Sequence, residues 1–424
     1  MTTSKTSWVL TEDWTVVVLG FALIALALTG FTIPNPTFGW QNLDELRLNV
    51  LAWSNIGQMG ILFCLVYAVA LVAAGVLGKG IAATAKGFPV VYLLTVLALV
   101  LAGNAFLKNW NLEAVIFSLC IGLLIRNTLT VPGWLKDALS TELYVKIGLV
   151  LLGTSVIFGD ILKAGSLGLV QALLVVVAVW YFAFWLCKKL GIDEEMSIMI
   201  SSAVSICGVS AAIATAGAIK GDAKKLSYVI SIVLITAIPM ILFMPFIAQA
   251  LGLSEAVTGA WLGGTIDTTG AVIASGSLVG EEALKISTIV KFSQNVLLGL
   301  AAFAISVYWT YTNNTSEVVQ ETKPTLGVIW ERFPKFVIGF VGASLIFSFL
   351  VSSETVDAVK GGVKSLQGVW FALAFTSIGL ETKFSDLFNA EAKKPLYAFL
   401  IAQLFNILFT LVVAQILFGN EPLF

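Results

Sequence analysis

The chain has 424 residues, of which 58% are hydrophobic and 12% charged, with a mean hydropathy of +0.96 and a formal net charge of −1. A soluble domain of this size has no core large enough to hide that much apolar surface. The near balance of 24 basic and 25 acidic residues provides no electrostatic field for nucleic acid. There is no histidine, which excludes triad and zinc chemistry built on imidazole and removes the usual proton carrier near neutrality.

Apolar runs of the roughly 20 residues that a spanning helix requires recur from Trp14 almost to the C-terminus. They predict an all-α polytopic membrane protein with about 13 transmembrane helices. The first run, 14–33, is too long for a signal-peptide h-region and lacks a small-residue cleavage site, so it reads as a retained helix. Runs at 54–78 and 88–107 follow, with 34–53 mixing Trp, Leu and charge as an interfacial segment does. Residues 1–111 thus form an N-terminal region. The remaining spans are read at 112–130, 141–163, 165–187, 195–220, 224–251, 256–276, 284–311, 326–350, 362–387 and 395–419. A polar stretch, 310–325, links two of them, and no soluble domain is expected. Cys64, Cys120, Cys187 and Cys207 form no CxxC pair and read as small core residues, without disulfide or metal. Lys and Arg near the span ends favour a cytoplasmic N-terminus and an external C-terminus.

Two pairs of segments match in the same order. IGLLIRNT (121–128) aligns with LGGTIDTT (262–269), and YVKIGLVLLG (144–153) with IVKFSQNVLLG (289–299); SICG (205–208) and SIG (377–379) form a weaker third pair. The ten spans from 112 onward then divide into repeat 1, 112–251, and repeat 2, 252–424. Five spans is an odd number, so the second copy enters the membrane from the opposite side, as in the inverted repeats of secondary transporters.

The fourth span of each block is expected to break. The first, 201–221, is crowded with Ser, Gly and Ala around Gly208; the second, 375–387, carries Gly379 followed by Glu381. Open backbone in hydrocarbon costs several kcal/mol per group unless protein, water or solute satisfies it. A half-helix N-terminus there is an anion cradle, to which Ser205, Ser210 and Thr376 or Ser377 would add hydroxyls. The structural alternatives are close packing of small residues without any break and, for the second stretch, Glu381 as the start of a loop. Among ionisable groups inside spans, Asp267 stands out, flanked by Gly263, Gly264, Gly270, Thr265, Thr268 and Thr269. It would bind Na⁺, titrate, or contact solute; an ion pair with Arg126 is the structural alternative. Lys146 and Lys291 would neutralise an anion or else snorkel to the headgroups, and Gln294 and Asn295 add uncharged donors. Without His, proton coupling falls to Asp267 or Glu381.

SICGVSAAIATAGAIKG (205–221), the earlier GLLIRN and KIGLVLLG, GLSEAVTGAWLGG with IVKFSQNVLLG, and LAFTSIGLETKFSDL resemble the conserved bacterial membrane proteins labelled the sulfate exporter family, over about residues 110–400. TEDW (11–14) adds a short N-terminal match. The resemblance implies the fold of the cation/proton antiporter and anion transporter superfamily, with two inverted five-helix repeats and crossed broken helices. It implies a solute such as sulfate or an organosulfonate. Ser205, Cys207, Gly208 and Ser210, with Val209 between them, match its crossover motif, and Lys146 and Lys291 match basic positions. The chain departs at Ile266–Ala271, where many members have an Ile-His-Glu-like signature, and at Gln294, which replaces a commonly basic residue.

These observations predict a non-enzymatic, multi-pass protein of the cell inner (plasma) membrane that carries a small anionic solute by alternating access. The expected solute site is Ser205, Cys207, Gly208, Val209, Ser210, Ser377, Gly379, Thr268, Thr269, Lys291 and Lys146, with Asp267 and Glu381 coupling. No cofactor is expected beyond Na⁺ as a candidate coupling ion, and the sequence leaves a homodimer open. The alternative is a Na⁺- or H⁺-coupled cation/proton antiporter using Asp267 and Glu381.

Overall fold

The computed structural model describes residues 11–109, 114–312, 330, 333–383 and 393–419. Among them the fold is helical throughout, with one isolated bridge between Trp40 and Asn104. The helices of nine or more residues are α1 (Glu12–Leu28), α2 (Trp53–Val76), α3 (Ile81–Ala102), α4 (Ala114–Thr128), α5 (Thr141–Leu152), α6 (Phe158–Lys189), α7 (Glu194–Ser202), α8 (Val209–Ile219), α9 (Ala223–Ala250), α10 (Glu255–Thr265), α11 (Thr269–Val279), α12 (Glu281–Thr312), α13 (Phe336–Leu345), α14 (Ser353–Glu381) and α15 (Lys393–Phe418). Seven of these described helices (α2, α3, α6, α9, α12, α14 and α15) are long and apolar enough to cross a membrane. The chain is a multi-pass helical membrane protein.

Contacts divide it into two units, Met1–Phe158 with Lys335–Lys383, and Gly159–Pro334 with Phe384–Phe424. They cut across the expected repeats, because α13 and α14 join the N-terminal helices.

In the first unit α14 packs between α4 and α5. Small residues permit this: Gly379 lies against Gly122, whose Cα would be 2.8 Å from a Cβ at 379, and Gly148 faces Phe371. Over 375–383, the described part of the stretch 375–387, the expected break inside the helix does not occur. α14 runs unbroken through Gly379 to Glu381, and the Thr376 and Ser377 hydroxyls donate to Ala372 O and Leu373 O of their own helix; residues 384–387 lie outside the described residues. Close packing of glycines, the alternative reading of such stretches, is what Gly379 does. Lys146 is held in a knot of carboxylates, 3.0 Å from Glu12, 3.0 Å from Asp13 and 3.7 Å from Glu142.

The second unit contains two helical hairpins. Asp193 and Ser254, just before α7 and α10, accept bonds from Met196 N and Val257 N as N-caps. α7 continues through a π-helical turn, Ala203–Cys207, to Gly208, whose φ of +59° reverses the chain. α8 then returns to where α7 began: Lys225 Nζ, just beyond α8, lies 2.6 Å from Asp193 and 3.1 Å from Glu195, and Gly221 packs on Met199. The second hairpin closes the same way. Ala283 N–H, beyond α11, donates to Glu255 at the start of α10 over 3.3 Å, and Gly263 of α10 and Gly276 of α11 both pack on Ser287 of α12.

The expected spans 195–220 and 256–276 are therefore not spans. Each goes in and comes back. An arm of 11 residues, as in α10 and α11, reaches roughly 16 Å at about 1.5 Å per residue, half of a hydrocarbon core of about 30 Å. The mouth of the first hairpin lies at the start of α9 and that of the second beyond its end, 28 residues on. The hairpins thus point toward each other along α9, and their tips meet.

Candidate functional site where the hairpin tips meet

At the meeting point a Cβ added to Gly208 would stand 3.0 Å from the Asp267 Cβ and 2.7 Å from Val233 Cγ1, so only glycine lets the two turns approach. Each tip presents two unlike ends: the carbonyl end of the incoming half-helix, carrying about −0.5 charge, and the N–H end of the outgoing one, carrying about +0.5. The structure treats the two kinds of end differently.

The carbonyl ends are buried and capped by side chains. Lys291, in the middle of α12 and 1% exposed, donates to Ile206 O of the first tip at 2.8 Å, to Ile266 O of the second at 2.8 Å, and to Gln294 Oε1 at 3.0 Å. Gln294 Nε2 caps Gly264 O at 2.8 Å. From α15, Gln403 Nε2 reaches Thr265 O at 3.0 Å, and Asn406 Nδ2 reaches both Val204 O and Thr265 O at 3.1 and 3.2 Å. Thr410 donates to Asn406 Oδ1 at 2.8 Å and holds that amide in place. Such donors are necessary here because a buried carbonyl without a partner costs about 1–3 kcal/mol.

The N–H ends are the accessible ones. Residues 203–208 and 261–267 are buried, whereas Val209, Thr268 and Thr269 are half-buried and Ser210 is exposed. Thr268 caps α11 by accepting from Ala271 N–H at 3.3 Å, and Asn295 Nδ2 donates to Thr269 Oγ1 at 3.3 Å. Both oxygens of the buried Asp267 carboxylate, and Asn295 Oδ1, accept no hydrogen bond among the described residues.

The structure thus gathers Gly208, Val209, Ser210, Thr268, Thr269, Asp267 and Lys291 within the second unit. All three Lys291 protons are donated to the chain's own oxygens, so the amine ties the two tips together. The Ser205 hydroxyl is buried and donates to Ser201 O at 2.7 Å, one turn back in its own helix. Cys207 is buried beside it, as is Cys187 elsewhere, whereas Cys64 and Cys120 are exposed on their helices and are not core residues. Lys146, Ser377, Gly379 and Glu381 belong to the first unit; there Glu381 accepts from Thr141 Oγ1 at 3.1 Å. Sequence reasoning missed Gln403, Asn406 and Thr410. The available signal was three polar residues spaced three and four apart inside an apolar run, hence on one face of α15.

The family model described as Conserved hypothetical protein 698 matches residues 86–398, most of the chain. This chain belongs to that family. It is similar to a UPF0324 membrane protein of Rhodopirellula baltica, 41% identical over 87% of this chain and 68% of the relative. One from Nitratidesulfovibrio vulgaris is 38% identical over 78% of this chain, which spans 59% of that relative's length. Another, from Nitrosomonas europaea, is 27% identical over 92% of both.

Proposed function

We propose that this chain is a secondary transporter of the inner membrane that carries a small oxyanion, sulfate or an organosulfonate, by alternating access. One observation carries the reading: at the hairpin tips the negative helix ends are buried and capped, and the positive ones are left accessible. Two converging N-termini with the hydroxyls of Ser210, Thr268 and Thr269 suit an oxyanion, and half-helices ending near mid-depth are how carriers build solute sites. Asp267, whose oxygens accept no bond from the chain, is the coupling carboxylate in this reading. The blocks 194–250 and 255–312 each consist of a hairpin and one spanning helix and enter from opposite ends of α9. We read them as the inverted repeat, shorter than the five-helix blocks 112–251 and 252–424. The antiporter alternative, which relied on Asp267 and Glu381 together, draws on the same unpartnered Asp267 carboxylate; the test below separates it from the anion reading.

The test is thermal unfolding of the purified protein with sulfate, sulfite, thiosulfate, taurine, sulfoacetate, simple carboxylates, Na⁺ and Li⁺. A ligand of the native state at 100 times its Kd adds about 2.7 kcal/mol of stability, and one of the anions is expected to do so. Ser210→Asp, which places a carboxylate at the α8 N-terminus, should abolish that shift, and Asp267→Asn should leave it. Stabilisation by Na⁺ or Li⁺ alone, lost in Asp267→Asn, would establish the antiporter instead.

A further inference from the structure

The carbonyl ends of two half-helices facing each other at the centre of a protein call for a cation. A dissolved metal ion with oxygen ligands is one answer, and the ammonium of a lysine is another. Here Lys291 bonds both tips at 2.8 Å, is 1% exposed, and has its third proton on Gln294. The neighbouring carbonyls of Val204, Gly264 and Thr265 are taken by the Asn406, Gln294 and Gln403 amides. These five carbonyls are capped by the chain's own donors, with the Lys291 amine placed where the two negative ends converge.

We infer that Lys291 is a built-in monovalent cation: it locks the two hairpin tips in register and positions the N–H ends for solute, so that the anion site forms without Na⁺ or any other dissolved cation. The inference rests on the anion-carrier reading for what the site binds, but the lock itself does not. Lys291 is a positioning residue. It acts through the two half-helices and touches no solute.

The prediction concerns what replaces the ammonium when it is removed. Lys291→Ala leaves facing carbonyls and an amine-sized space, which a small ammonium ion would fill. Lys291→Met fills the space with a thioether and offers no donor. Melting temperatures are compared in choline, sodium, ammonium and methylammonium chloride at one ionic strength, with no anion ligand beyond chloride. We expect wild type to melt at the same temperature in all four. Lys291→Ala should melt lower in choline and recover more than half of the loss in methylammonium, and Lys291→Met should melt lower without recovery. Equal melting of Lys291→Ala in choline and methylammonium would overturn the lock. The wild-type protein supplies a second measurement that depends on no variant: the anion-induced shift should be the same in sodium and in choline, and a shift seen only in sodium would also overturn the inference. Should no anion shift the protein in any salt while methylammonium still rescues Lys291→Ala, the anion reading fails and the lock stands.

Discussion

Gly208 and Lys291 perform opposite tasks at the same point. Gly208 adopts a φ of +59°, which L side chains adopt only with strain, and does so within van der Waals range of Val233 and Asp267. Gly208→Ala therefore meets two costs, backbone strain of about 1–3 kcal/mol and overpacking of similar size. It should lower stability by at least about 2 kcal/mol and remove the anion-induced thermal shift; unfolding of the variant with and without the best anion measures both. Gly208, Asp267 and the Thr268–Thr269 pair were legible in the sequence because a glycine, a carboxylate and hydroxyls inside apolar runs are local anomalies. The role of Lys291 was not legible. A buried lysine reads equally as a solute ligand or as a snorkelling amine until its three acceptors are known, and two of those lie 85 and 25 residues away.

Among the elements, the hairpin mouths set the direction of everything beyond them. Asp193 caps α7 and binds Lys225, which fastens the outgoing arm to the incoming one. Burial pushes the Asp193 carboxyl up, but the hydrogen bond from Lys225 and the N–H of Met196 outweigh it and hold the group below its ordinary range. Asp222, bonded by the N–H groups of Lys225 and Lys224, is held low as well. A carboxyl depressed in the native state contributes stability above its unfolded value, about 3.9, and loses it as pH falls through the native value. Stability should thus be insensitive to these groups above about pH 5 and decline below about pH 4. Asp193→Asn should flatten part of that decline while lowering neutral-pH stability by about 0.2–1 kcal/mol, the scale of a largely exposed pair. Melting temperature followed from pH 3.5 to 7 tests the sign: a variant more stable than wild type at pH 7 would contradict it.

In the whole molecule, the charged residues inside apolar runs sort into different tasks. Lys146 lies in the first unit among Glu12, Asp13 and Glu142, with its side chain 14% exposed and its partners 21–51% exposed. Its removal leaves several carboxylates facing one another in a partly wet site. Lys146→Met should therefore cost about 1–3 kcal/mol, less than a fully buried pair because solvent screens it. The anion-induced shift should survive this change, since the tips lie in the other unit; loss of the shift with the fold intact would place Lys146 in the solute path after all.

Apolar runs of roughly 20 residues determined that this is a helical, multi-pass membrane protein, because a run of that length crosses hydrocarbon with its backbone satisfied inside the segment. Local chemistry also marked one turn at Gly208 and a polar cluster at Asp267. The course of the chain after those turns was decided only in three dimensions. An apolar run long enough to cross a bilayer is equally long enough to enter halfway and return, and hydropathy has the same value on both paths. The choice is made by partners remote in sequence, Asp193 with Lys225 and Glu255 with Ala283. The same holds for Gly379, where a glycine that reads as a break is a contact surface for Gly122. A glycine's neighbour across the fold, which its own segment does not specify, determines whether it bends a helix or packs one.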